Sequence, residues 1–298
     1  MRDGARRPGT AAGVETVRLF VVIGRWNNLT SARNFLERIV AARRESVARA
    51  AEARPLAEVR ERARAARRDA EPHALSRRLA RGGAPNVIAE IKRASPSKGV
   101  LRGDVEVVGL ARSYERGGAA AISVLTEEEF FRGSLDDLRA ARRAVALPLL
   151  RKDFVVSEWQ VYESAEAGAD AVLLIVAALD DATLARLLRL AEDELRMDAL
   201  VEVHTAGELR RAQSAGARLV GVNNRDLNTF EVSVETSFAL ARVAEPGALL
   251  VSESGLAARE QLERLAAAGF KGFLVGETLM RSDDPEAALR ELSTPLDR

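Results

Sequence analysis

A chain of 298 residues with 47% hydrophobic content can bury one large core or two small ones, and its net charge of +1 favours no strongly charged partner. It has no cysteine and only two histidines, His73 and His204, which excludes disulfides, thiol nucleophiles, cysteine-ligated zinc and multi-histidine metal sites. Only four of its 45 basic side chains are lysine (Lys92, Lys98, Lys152 and Lys271), and because a lysine pKa can be tuned whereas arginine stays charged, these positions mark candidate chemistry.

Residues 1–30 lack a continuing strand or helix pattern and are expected to form a poorly ordered extension whose removal changes little. The apolar run at 19–24 is too short to span a membrane and no cleavage-site pattern follows it, so no membrane partner and a cytoplasmic location are expected. From Ser31 the pattern turns helical. Ser31 is the expected N-cap, Asn34 takes the third helical position, and Phe35, Leu36, Ile39 and Val40 share one face. A second Ala/Arg helix is expected after Pro55. Residues 1–81 hold 19 arginines against nine acidic residues. They are interleaved with Glu and Ala and have almost no aromatic neighbours, so a solvated helix face is expected rather than a nucleic-acid surface.

After Asn86 short apolar runs alternate with amphipathic stretches. The runs are VIAEI (87–91), AAISVL (120–125), LPLLR (147–151), AVLLIV (171–176), ALVEV (199–203), LVGVN (219–223), ALLVS (248–252) and GFLVG (272–276). Lack of polar alternation marks strands buried on both faces. The helices between them are expected to close at Gly117, Gly168, Gly216 and Gly269. Eight strand–helix units over this length predict a (β/α)₈ TIM barrel with an additional N-terminal helical segment. Residues 31–298 then form a single domain that includes the helices of 31–82. A doubly wound open sheet is the alternative.

Such barrels carry their sites at the carboxyl ends of the strands. Polar residues stand there on run after run: Glu90 and Lys92, Lys152 and Asp153, Glu202, Asn223 and Arg225, Glu253 and Ser254. Glu90 and Lys92 are two apart, so both side chains point into the barrel. Arg151, next to an inward Lys152, should face away from the lumen. Ser254-Gly255 after the seventh run and Gly276 after the eighth fit a phosphate grip built from loops and helix N-termini, with Ser95, Ser97 and Gly99 in the first loop as further donors. At Glu277 only backbone donation is expected.

Seven segments in order (VIAEIKRASPSKG, LTEEEFFRGSLDDL, LLRKDF, VEVH, GVNNRDL, VSESG and FLVGETLMR) closely resemble indole-3-glycerol phosphate synthases of tryptophan biosynthesis. The resemblance covers roughly residues 34–295. It implies ring closure of 1-(o-carboxyphenylamino)-1-deoxyribulose 5-phosphate with loss of CO₂ and water, without cofactor or metal. It casts Lys152 as general acid and Glu202 as its partner carboxylate; the tunability of lysine adds the expectation that the surroundings lower the Lys152 pKa. Glu90 and Lys92 become the pair for dehydration, and Asn223 orients a substrate hydroxyl. Arg225 helps hold the anthranilate carboxylate. Ser95, Ser254, Gly255 and Gly276 resemble the phosphate grip, and Phe131, Phe154 and Leu173 the slot for the aromatic ring. The implied partner is a small phosphorylated substrate; no nucleic acid is expected, and a monomer is favoured. Two other readings stay open: another phosphate-binding barrel such as phosphoribosylanthranilate isomerase, which would not need the Glu90/Lys92/Lys152 set, and a non-catalytic scaffold, which would be free to lose it.

Overall fold

The computed structural model describes Met1 and residues 32–81, 85–226 and 229–294. The expectations for residues 1–30 and for the Ser31 cap lie outside the described residues.

Eight parallel strands close on themselves: β1 (Val87–Ile91), β2 (Ala121–Leu125), β3 (Leu149–Lys152), β4 (Ala171–Ile175), β5 (Asp198–Val203), β6 (Leu219–Asn223), β7 (Leu249–Glu253) and β8 (Gly272–Val275). Each pairs with its sequence neighbour, and β1 also pairs with β8, Ile88 lying opposite Leu274. That last pairing excludes the open doubly wound sheet and establishes the TIM barrel.

The strands read as unbroken apolar runs because each separates two dry layers. Alternate residues point inward to a lumen cluster containing Ile88, Leu150, Leu173, Leu200, Val251 and Leu274. The residues between them, such as Ala89, Leu149, Val172, Val201 and Val220, point outward and pack beneath the helices. This parity decides the site. Continued to the carboxyl ends, the inward series reaches Glu90, Lys152, Glu202, Asn223 and Glu253, and the outward series reaches Arg151 and Ser252.

Helix starts follow local capping chemistry. Ser134, Ser157, Asp180 and Thr205 each accept a backbone N–H at the head of the helices Leu135–Ala144, Glu158–Glu166, Asp181–Arg189 and Ala206–Ser214. Left-handed glycines follow several helix ends, with φ of 92° at Gly168, 95° at Gly216 and 106° at Gly269. At the Gly117-Gly118 pair the left-handed residue is Gly118, φ 89°, and Gly117 stays helical at −72°.

Among the described residues three helices precede the barrel: α1 (Ala32–Ala53), α2 (Leu56–Arg67) and α3 (Ala74–Leu79). Leu75 and Leu79 of α3 insert into the lumen cluster and plug its amino end, while Asp198 Oδ2 accepts the N–H groups of Leu75 and Ser76 at 2.9 and 3.0 Å. The arginines of this segment depart from a purely solvated face. Arg67, 7% exposed, reaches Asp170 at 3.1 Å and the carbonyls of Leu195 and Arg196, and Arg54 and Arg64 pair with Glu166 and Glu194. A guanidinium on a long apolar stem can span from helix to barrel and satisfy several carbonyls at once, which sequence patterning does not show. No helix among the described residues is long and apolar enough to cross a membrane.

Candidate active site

A cleft of about 420 Å³ opens at the carboxyl end of the strands and brings together the catalytic and substrate-binding residues named from the sequence, with Ser97 of the first loop but not Gly99. At its floor, Lys152 Nζ lies 3.1 Å from Glu202 Oε2 and 3.4 Å from Glu253 Oε2. Register places these groups: on β5 and β6 Glu202 lies opposite Gly221, and on β6 and β7 Asn223 lies opposite Glu253. Asn223 Nδ2 donates to Glu202 Oε1 at 3.2 Å. A side chain at Gly221 would collide with the Glu253 carboxylate, so the glycine makes room for it. Glu90 and Lys92 form a second ion pair facing the same lumen. Gly276 serves this pair, since a Cβ there would strike the Glu90 carboxylate and crowd Lys92.

Three carboxylates therefore share the lumen with two ammonium groups. Burial alone would lower the Lys152 pKa, but Glu202, Glu253 and Glu90 outweigh it and hold the ammonium above its ordinary value. This corrects the expected lowering: the carboxylates come from three different strands, and only the closed barrel brings them within range. Burial works against the Glu202 anion, yet Lys152, His204 and Asn223 hold it well below the usual carboxylate range. Glu253 goes the other way. Desolvation and the charges of Glu202 and Glu90 push it up to about 8 against the pull of Lys152, and its Oε1 is buried without a hydrogen-bond partner among the described residues. The two carboxyls beside one ammonium are thus held in opposite states at neutral pH, an arrangement suited to proton transfer.

The rim is apolar on one side and polar on the other. Phe131 and Phe154 sit with ring centroids 6.1 Å apart, beside Leu173. Phe35, Leu36 and Ile39 of α1 line the mouth above, and Phe35 packs edge-on against Phe130 and Phe230 at 5.3 and 5.7 Å. The polar side carries Ser95, Arg225, Ser254, Gly255 and Gly276. Ser254 and Gly255 both have positive φ, 68° and 76°, a turn that costs energy at the serine. The Ser254 hydroxyl donates to Asn223 Oδ1 at 2.8 Å, and Arg225 Nη1 donates to the Phe230 carbonyl at 3.0 Å. The first loop folds as a short hairpin of two two-residue strands, Ala94–Ser95 against Gly99–Val100. Among the described residues no group of three histidines, aspartates or glutamates is placed to hold a metal ion.

A family model described as indole-3-glycerol phosphate synthase matches residues 36–292. The chain belongs to the indole-3-glycerol phosphate synthase family. The family member of Syntrophobacter fumaroxidans is 52% identical over 224 residues, 74% of this chain and 84% of that protein. The one from a Polaromonas species is 48% identical over 266 residues, 87% of this chain and 98% of that protein. Among solved structures, KGPDC from Streptococcus mutans aligns with a TM-score of 0.56 at 15% identity, covering 70% of this chain and 96% of that one. A 3-hexulose-6-phosphate synthase from Salmonella typhimurium aligns at 0.53 and 14% identity, covering 70% and 96%. At such identities these two show the barrel fold alone.

Several site features escaped the sequence reading. Glu253 stood out only as a polar strand end, with nothing local to separate it from a cap. Phe35, Leu36 and Ile39 were legible as one helix face, and the resemblance implies a lid from the segment that begins near Asn34, but which of its side chains line the cleft was not legible. Asp153, expected only as a strand-end residue, has its carboxylate tied to Arg43 of α1 and to Arg151 behind the strand.

Proposed function

We propose that this chain closes the indole ring of 1-(o-carboxyphenylamino)-1-deoxyribulose 5-phosphate, giving indole-3-glycerol phosphate, CO₂ and water. The observation that carries this reading is the pair of Lys/Glu couples in one lumen, Lys152 with Glu202 and Lys92 with Glu90, with an apolar slot on one side and a glycine- and serine-rich rim on the other.

The aromatic carbon bearing the carboxylate attacks the ketone carbon of the sugar chain, and Lys152 gives its proton to the carbonyl oxygen. Its raised pKa keeps it protonated at neutral pH, the form a general acid needs before it acts. Glu202, held ionised, stabilises the cation that develops across the ring and nitrogen. The C–CO₂ bond then breaks, and its electron pair restores the aromatic ring. Loss of the new hydroxyl as water needs one proton delivered and one removed, and Glu90 with Lys92 supplies both. Asn223, fixed by Glu202 and Ser254, orients the hydroxyl. Ser95, Ser254, Gly255 and Gly276 hold the phosphate, Arg225 faces the substrate carboxylate, and Phe131, Phe154 and Leu173 sandwich the ring. Anchoring both ends folds the substrate onto itself, a proximity effect worth up to roughly 7–11 kcal/mol in well-oriented systems.

The test is direct. Purified protein incubated with the carboxyphenylamino-deoxyribulose phosphate should produce indole fluorescence and one equivalent of CO₂. Folded protein that consumes no substrate would refute the assignment.

A further inference from the structure

His204 is one of only two histidines in the chain and follows β5 directly, two residues beyond Glu202. Its side chain is 8% exposed, and it is absent from the lining of the cleft. Two carboxylates face the ring. On one side Nδ1 lies 3.0 Å from Glu208 Oε2, and the same oxygen accepts the His204 backbone N–H at 2.8 Å. Glu208 is itself fixed in the first turn of the helix Ala206–Ser214, where its N–H donates to the Thr205 hydroxyl at 3.1 Å. This is a capping arrangement that leaves the carboxylate little freedom. On the other side Nε2 stands 3.4 Å from Glu202 Oε1, off the line of a hydrogen bond and with no other partner among the described residues.

We propose that His204 is a positioning residue for the reaction: as an imidazolium spanning Glu208 and Glu202, it fixes the back oxygen of Glu202 and leaves the front oxygen to Lys152. The inference rests on the proton-transfer roles given above to Lys152 and Glu202. Glu202 has two distinct sides. Oε2 meets Lys152, whereas among the described residues Oε1 meets only Asn223, a neutral donor, and the imidazole. When Lys152 passes its proton to the substrate, its positive charge leaves with it. A buried carboxylate without a cationic partner is strongly disfavoured. Unless a second cation stands behind it, Glu202 would take up a proton at that moment and lose its hold on the developing charge. His204 is that cation. The groups facing the ring are Glu202 on β5 and Glu208 on the following helix, with Lys152 of β3 one step beyond Glu202. Burial alone would favour the neutral ring, but the two carboxylates overcome it and raise its pKa to about 9.

The experiment compares wild type with His204→Gln, which keeps a donor but not the charge, in steady-state kinetics from about pH 6.5 to 10. The expected kcat ratio of wild type to variant is roughly tenfold at neutral pH, the effect of about one pKa unit of coupling. It should close toward one as the wild-type imidazole deprotonates near pH 9, with KM changed less than about twofold because the ring does not line the cleft. In parallel, imidazole NMR on the wild type should show one of the two histidines titrating near 9, and that midpoint should fall in Glu202→Gln. This measurement decides the question even if His204→Gln does not fold. A ratio that is constant with pH, a ratio of one throughout, or two imidazoles that both titrate near the ordinary value would each overturn the proposal. Lys152→Met is measured alongside. If it loses activity while His204→Gln does not, only this inference fails; if it stays fully active, the proton-transfer reading itself fails.

Discussion

Arg151 and Lys152 are neighbours on β3 and face opposite sides of the barrel wall, and their surroundings differ in kind. Behind the wall, Arg151 is 1% exposed and saturated: Glu163 at 2.8 Å, Asp153 at 3.0 Å, the Thr126 and Ser164 hydroxyls, and the Gln160 carbonyl. Asp153 in turn accepts from Arg43, Thr126, Arg151 and the Phe154 N–H. Its burial would raise its pKa, but Arg151 and Arg43 hold it low. In front of the wall, Lys152 faces two carboxyls in unlike states, and one carboxyl oxygen is buried without a partner among the described residues. The rear cluster is balanced and holds α1 to the strand that carries Lys152. The front cluster is over-supplied with carboxylates and so is poised to exchange protons. Parity on one strand thus sets a paired arginine outward and a lysine between two carboxyls inward.

Breaking the rear cluster should cost the most stability. Asp153→Asn leaves the half-buried Arg43 without its carboxylate and the buried Arg151 with Glu163 alone, and a loss of roughly 3–5 kcal/mol is expected in urea unfolding. A loss below about 1 kcal/mol would show that the cluster is not what secures α1.

Glu253→Gln sharpens the contrast from the other side. The folded-state pKa of Glu253 is raised from 4.5 to about 8. The native state therefore keeps a proton that the unfolded chain has released, and stability falls as pH rises from about 4.5 through about 8. The glutamine variant lacks that slope. Its melting temperature relative to wild type should climb between about pH 5 and 8.5 while its turnover drops. A pH-independent difference would show that Glu253 is ionised in the fold.

Phosphate tests the polar rim. Bound at Ser254, Gly255 and Gly276, inorganic phosphate should compete with substrate and raise the melting temperature, by about 2.7 kcal/mol of stabilisation at a hundred times its Kd. Neither inhibition nor stabilisation at tens of millimolar would remove that grip. The smallest effect is expected from deleting residues 1–30. The family match begins at residue 36, so turnover should stay the same and stability should shift by less than about 0.5 kcal/mol, the range of changes away from structural features.

Much of this architecture was legible in the sequence for one physical reason. Strands dry on both faces write continuous apolar runs, and the first polar residue after each run marks a carboxyl end. Glu90, Lys92, Lys152, Glu202 and Asn223 stood out in that way. What stayed hidden depends on neighbours from other strands. The raised pKa of Lys152 needs Glu202, Glu253 and Glu90 together, the requirement for glycine at 221 and 276 comes from carboxylates brought alongside by register, and the reach of Arg67 and Arg43 depends on where the first two helices dock. Periodicity within one segment contains none of these distances.

Lys152 carries the proposed proton transfer, and arginine is the substitution that isolates its chemistry. Lys152→Arg keeps the positive charge but replaces a compact proton donor with a guanidinium that does not release its proton. Lys271→Arg is the matched control, since Lys271 is exposed at the amino end of β8, away from the cleft. Steady-state turnover of the carboxyphenylamino-deoxyribulose phosphate by both folded variants should fall by roughly 10²–10⁴ in Lys152→Arg, as expected for loss of a general acid, and stay near wild type in Lys271→Arg. Equal turnover in the two variants would contradict the assignment of proton transfer to the inward face of β3.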